Sequence, residues 1–110
     1  MDVATLRHKL AAKENLILLD VRDADEIVAE PFFSVPPKNY LNLPILPLLF
    51  SSREELEAKI FDRLGYPTTT SIITLCHSGG RSARACETLR QHAWIAENLD
   101  GGKEAWGNPV

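Results

Sequence analysis

Ser71-Ile72-Ile73-Thr74-Leu75 followed by Cys76-His77-Ser78-Gly79-Gly80-Arg81-Ser82 is the stretch on which the fold turns. The β-branched run favours a strand. The glycine pair interrupts it, and beyond Ser82 the positions Ala85 or Cys86, Leu89 and Ala93 recur at helical spacing. A strand that passes through a short glycine loop into a helix is the βα unit of a parallel sheet. Working outward, Leu16 to Val21 is a compact apolar run broken by Asp20, of a length that suits a strand buried on both faces. Ahead of it, Val3, Leu6 and Leu10 draw the stripe of a short amphipathic helix that Asp2 would cap. On the far side, Trp94 to Leu99 reads as a last strand, and Gly101-Gly102 open a final helical turn through Trp106.

The middle of the chain fills in the pattern. Arg22 to Glu30 is acidic and reads as a short helix that turns Ile27 and Val28 inward. Pro31 to Pro47 holds five of the seven prolines and should be mostly irregular, with Tyr40 to Leu43 as the piece able to join the sheet. Ser52 and Glu55 have capping-box spacing; Leu56, Ile60 and Leu64 then form a helical stripe that Gly65 and Pro67 end. Strands alternating with helices predict an α/β fold, a small parallel β-sheet sandwiched between helices. At 110 residues, 1–110 should be one domain.

Composition excludes several classes of function. Hydrophobic residues at 45% and charged residues at 25% are globular proportions. Fifteen acidic against twelve basic residues leave a net charge of −3, which argues against nucleic-acid binding through a broad basic surface. The longest apolar run, Leu43 to Phe50, contains two prolines and falls far short of the roughly 18 residues needed to cross a bilayer. Met1 to Ala4 shows no basic patch leading into an apolar stretch, as a signal peptide would. Two cysteines make neither a disulfide framework nor a paired zinc motif. These features predict a reduced, cytoplasmic protein.

Cys76 to Ser82 is where chemistry is expected. A helix N-terminus offers unpaired N–H groups and the positive end of the macrodipole. With φ positive at Gly79 and Gly80, the loop curls until several N–H groups point at one spot. Cys76, at the bottom of that cup, would be favoured as thiolate, with Arg81 adding a cation at the rim. Thiols in such settings are acidic, and the thiolate is the nucleophile. His77 can meet substrate anions, Ser78 and Ser82 can hydrogen-bond the sulfur, and Arg84 joins the site if it faces the mouth. Cys86 lies on the same stripe as Leu89 and Ala93, a core position; its alternative reading is a thiol that resolves an oxidised Cys76. No metal or organic cofactor is called for, since lowered pKa and charge stabilisation suffice.

Sulfur transfer and phosphate-ester hydrolysis both use a cysteine cradled in this way. Four residues separate Cys76 from Arg81, where cysteine phosphatases have five, and Leu75 stands where many of them carry histidine. The tighter ring favours a single added sulfur atom over a tetrahedral phosphoryl group. Leu18-Leu19-Asp20-Val21-Arg22, Asn42-Leu43-Pro44, the Cys76–Ser82 loop and Asn98-Leu99-Asp100-Gly101-Gly102 with Ala105-Trp106, in that order, resemble the blocks of a single-domain rhodanese, a sulfurtransferase family. The resemblance implies a twisted three-layer α/β/α fold and a persulfide formed on Cys76. It further implies a donor such as thiosulfate and an acceptor that is cyanide or a thiol, free or on a partner protein. Asp20 and Arg22 match the family's charged strand-end pair, a structural role near the site. The chain departs from the family pattern at Glu30 to Pro37, which replaces a His-Ile-Pro-Gly-like segment, and in a leading strand missing or reduced to Met1–Val3. The alternatives are a rhodanese-like relay or regulatory module with little activity on free thiosulfate, and a small cysteine phosphatase.

Overall fold

In the computed structural model the described residues are 1–31 and 35–107, so part of the departing Glu30–Pro37 segment lies outside them. The chain runs through α1 (Val3–Ala11), β1 (Leu16–Asp20), α2 (Ala24–Ala29), β2 (Tyr40–Asn42) and α3 (Ile45–Phe50). It continues as α4 (Arg53–Glu57), prolonged by a π-helical turn over Ala58–Asp62, then β3 (Ser71–Leu75), α5 (Gly80–Gln91), β4 (Ala96–Asn98) and α6 (Gly102–Trp106). The four strands form one parallel sheet in the order β2-β1-β3-β4. The chain leaves β1 towards β2 on one side and returns to β3 on the other. Strand order therefore reverses between β1 and β3, and the crevice beyond their carboxyl ends is where open α/β sheets hold ligands. Their register pairs Asp20 with Leu75, so Cys76 emerges at that crevice.

Alternation along the strands divides the interior into two cores. Leu16, Leu18, Ile73 and Leu75 pack with Leu6 of α1, Trp106 of α6 and Leu99. Ile17, Leu19 and Ile72 pack on the other face with Leu48, Leu56, Ile60, Phe61, Ala85, Leu89 and Trp94. The result is the expected layer of helices on each side of a parallel sheet, with β1 buried along its whole length. Arg7 ties α1 to α6, its guanidinium 4.7 Å above the Trp106 ring and donating to the Trp106 carbonyl at 2.7 Å.

Several elements differ from the sequence reading, each for a local reason. Helix α2 buries no residue, and Val28 is 82% exposed instead of turned inward. The helix is held by polar contacts: Asp23 and Glu26 form a capping box, and Glu26 reaches across to Arg81. The proline-rich stretch contributes β2 as expected, and it also runs into α3, which begins two residues before Pro47. Pro44 is its N-cap and Pro47 its third residue, where the missing N–H would have had no intrahelical partner. The last strand is shorter than Trp94–Leu99, although the Ile95 carbonyl still accepts from Ile72 N–H at 2.8 Å. Before α1 the described residues contain no strand.

A polar anchor closes the carboxyl end of β1. Asp20 is 0% and Arg22 1% exposed. Arg22 Nε donates to Asp20 Oδ1 at 3.0 Å and Nη2 to Oδ2 at 2.7 Å, while Tyr40 donates its hydroxyl to Oδ2 at 2.6 Å. Arg22 Nη1 donates to the Glu30 carbonyl at 2.8 Å, and Asn42 Nδ2 donates to the carbonyls of Asp20 and Arg22. The anchor joins β1, β2 and the end of α2. Removing one partner of such a pair leaves a buried charge uncompensated, at a cost of about 3–5 kcal/mol. Arg22→Ala should therefore lower unfolding free energy in urea by that amount, whereas Tyr40→Phe, which leaves the pair intact and removes one hydrogen bond to its carboxylate, should cost about 1.5–3 kcal/mol. Equal losses would show that the pair contributes nothing beyond packing.

Candidate active site

The loop after β3 is shaped from behind. Lys103 N–H, in the first turn of α6, donates to the Cys76 carbonyl at 2.8 Å, and Glu104 N–H donates to the His77 carbonyl at 2.9 Å. Those two bonds tie the start of the loop to α6. Gly102 makes the approach possible: its φ is +60°, and a Cβ there would collide with the Cys76 carbonyl. Asn98, at the end of β4, donates Nδ2 to the Gly79 carbonyl at 3.1 Å, and Thr74 Oγ1 lies 2.9 Å from the Ser82 carbonyl. Gly79 takes the left-handed turn at φ +108°; Gly80 does not, and is simply the first residue of α5.

Cys76 Sγ sits in the resulting cup. Gly79 N–H donates to it at 3.0 Å, Ser82 N–H at 3.4 Å and the Ser82 hydroxyl at 3.3 Å. That hydroxyl is also 3.2 Å from the Gly79 carbonyl, so its single proton can turn to the sulfur when charge develops there. Among the described residues no backbone carbonyl accepts from Gly80 or Arg81 N–H, which open the helix. Burial pushes the Cys76 thiol up; the Ser82 hydroxyl, the Ser82 and Gly79 N–H groups and that of Ser78 outweigh it, so the group titrates below an ordinary cysteine. Cys76 is only 1% exposed, and the donors around it favour the thiolate over the thiol.

The other expected residues are distributed unevenly around it. His77 and Ser78 are exposed, and His77 lines a cleft of about 430 Å³ with Ala29, Glu30, Lys103, Glu104 and Gly107. Arg81 is not the open cation that the sequence suggests. Its Nη1 and Nη2 donate to Glu26 Oε1 and Oε2 at 2.6 and 2.7 Å. Arg84 is exposed on the outer side of α5. Asp20 and Arg22 form the buried anchor described above, one residue away from the Cys76 strand end in register. Cys86 is buried in the core beside Ala85 and Leu89, where burial pushes its thiol up, and both cysteines are free.

Three contributors escaped the sequence reading: Glu26, Asn98 and the close approach of Gly102. Asp23 and Glu26 do have capping spacing, which is legible, but the partner of Glu26 lies 55 residues away. The block from Asn98 to Gly102 is recognisable as a unit, with nothing in it to say that it braces the cysteine loop.

The rate of Cys76 alkylation by neutral iodoacetamide should rise with pH through an inflection below the value near 8.5 of a free cysteine. Ser82→Ala should move that inflection upward and slow alkylation at neutral pH by up to roughly an order of magnitude, as loss of one hydrogen bond to a charged group requires. An inflection at the free-cysteine position in both proteins would show that the cup does not stabilise the thiolate.

A protein-family model described as the rhodanese-like domain matches residues 2–109. The chain is 30% identical over 106 residues to the Bacillus subtilis protein named "Putative sulfurtransferase YtwF", covering 96% of this chain and 87% of that one. It is 28% identical over 107 residues to a protein of Allochromatium vinosum named "Sulfurtransferase", covering 96% of this chain and 85% of that protein. Its fold superposes on the crystal structure of a rhodanese-like domain protein from Staphylococcus aureus with a TM-score of 0.75 at 23% identity, over 98% of this chain and 90% of the other. Match and architecture agree across nearly the whole length, and the chain belongs to the rhodanese-like domain family, with sulfurtransferases by name among its relatives.

Proposed function

We propose that this protein is a sulfurtransferase that carries sulfane sulfur as a persulfide on Cys76. The observation that carries the reading is the set of three hydrogen-bond donors, two backbone and one hydroxyl, within 3.4 Å of Sγ. The thiolate attacks the outer sulfur of a donor such as thiosulfate or a persulfide. A bond forms between Sγ and that sulfur as the donor's own sulfur–sulfur bond breaks, and the leaving group, sulfite in the case of thiosulfate, departs with the electron pair. The terminal sulfur of the new persulfide carries the negative charge next to the N–H groups of Gly80 and Arg81, where the positive end of α5 favours it. Cyanide or a thiolate, free or on a partner protein, then attacks the terminal sulfur and Cys76 leaves as thiolate. Fixed amide dipoles supply the stabilisation at both steps, so the scheme uses no metal or organic cofactor. It fits a reducing compartment such as the cytoplasm, where both cysteines stay free.

A second reading, a relay or regulatory module with little activity on free thiosulfate, is favoured by one observation: Arg81 is already paired with Glu26. The tight ring of four residues between Cys76 and Arg81 weighs against a phosphatase.

Incubation with excess thiosulfate should add one sulfur atom to the intact mass of the protein and leave Cys76→Ala unchanged. Cyanide should then remove the sulfur as thiocyanate. Loading without turnover would support the relay. Hydrolysis of an aryl phosphate with no sulfur gained from any donor would overturn sulfur transfer.

A further inference from the structure

Arg81 lies in the first turn of α5, close enough to Cys76 for their charges to interact, and its guanidinium is taken on both arms. Nη1 and Nη2 meet the two oxygens of Glu26 at 2.6 and 2.7 Å in a fork-to-fork pair. The partners are 36% and 34% exposed, so the pair sits at the surface and not in the core. Glu26 is held there independently, because Oε1 also accepts from Asp23 N–H at 3.2 Å in the α2 capping box. The Arg81 guanidinium keeps the Glu26 carboxyl at about 2, so it remains a carboxylate throughout the neutral range. Nearby charge points the same way: the segment Asp23 to Glu30 is acidic without a basic residue, and Glu30 and Glu104 line the cleft beside His77. Lys103, in the same cleft, turns its Nζ to the Gly107 carbonyl at 2.7 Å.

We propose that Glu26 is a specificity-determining residue: it withholds Arg81 from oxyanion donors, so that Cys76 draws its sulfur from a persulfide, R–S–SH, in preference to thiosulfate. This rests on the sulfur-transfer reading and narrows its donor. A dianion such as thiosulfate must either break the Glu26–Arg81 pair or approach a site whose cation is already neutralised. A persulfide brings its transferable sulfur on a neutral or singly charged group and needs only the amide cup. The thiolate of Cys76 attacks the outer sulfur, the new Sγ–S bond forms as the donor's S–S bond breaks, and R–S⁻ leaves with the electron pair. The proton stays on the transferred sulfur until the cup favours its loss. Glu26 touches none of these atoms and acts through Arg81.

The test compares wild-type protein with Glu26→Gln, an isosteric change at a partly exposed position. Second-order rates of single-sulfur loading of Cys76 are read by intact mass with two probes, thiosulfate and cysteamine persulfide. In parallel, Cys76 is alkylated with anionic iodoacetate and neutral iodoacetamide. Glu26→Gln should raise the thiosulfate-to-persulfide ratio roughly five- to tenfold and the iodoacetate-to-iodoacetamide ratio in the same direction, as freeing one cation near the sulfur requires. Adding Arg81→Gln should abolish both gains. An unchanged alkylation ratio, or gains that survive loss of Arg81, would overturn the role assigned to Glu26. If the alkylation ratio rises while neither donor loads wild-type Cys76, sulfur transfer fails and the exclusion of anions by Glu26 stands.

Discussion

Two backbone hydrogen bonds from α6 to the loop after β3 set up everything else at the site. Lys103 and Glu104 donate to the carbonyls of Cys76 and His77, which fixes the start of the loop whose Gly79 and Ser82 N–H groups meet the sulfur. A loop of this composition without such a brace has many conformations, since glycine loses more freedom on ordering than any other residue. The brace depends on a close approach that Gly102 alone permits among the twenty side chains, and on Asn98 holding the Gly79 carbonyl from the neighbouring strand. The cysteine loop is thus formed by one βα junction and braced by the next.

The sheet supplies position and the surface supplies selectivity. Reversal of strand order between β1 and β3 puts the cysteine at a crevice, and the buried pair of Asp20 and Arg22 fixes the adjacent strand end at the cost of desolvating two charges. The second ion pair, between Glu26 and Arg81, is partly exposed and adds little to stability. Its significance is electrostatic. A cation beside a thiolate normally recruits anions, and a carboxylate seated on that cation cancels the attraction while leaving the amide cup in place. In the role proposed for Glu26, stabilisation of the thiolate and recruitment of the donor, which one arginine would otherwise combine, are separated.

Much of the fold was readable because it is written locally. The apolar run Leu16–Val21, the strand Ser71–Leu75 and the stripe of α5 each satisfy the period of their own element, and all three formed. The proline-rich stretch misled at α3 because proline is compatible with a first helical turn, so its presence alone does not decide between loop and helix. Helix α2 misled in the opposite way. Ile27 and Val28 look like an inward face, yet the helix is short enough for its capping box and one distant ion pair to decide its seat, leaving Val28 in solvent.

The sequence by itself determined the local make-up of the site: a cysteine directly after a strand, a glycine pair for the turn, Ser82 at the head of a helix, and four residues between Cys76 and Arg81. Those properties depend on neighbours within seven positions, where bond geometry and helix termini dominate. Only the tertiary structure decided which charges the site presents. Arg81 and Glu26 are separated by 55 positions, as Asn98 and Gly79 are by 19, and their meeting is a product of how the layers pack. Contacts of that kind have no local period, because they are set where two elements end and not along either one.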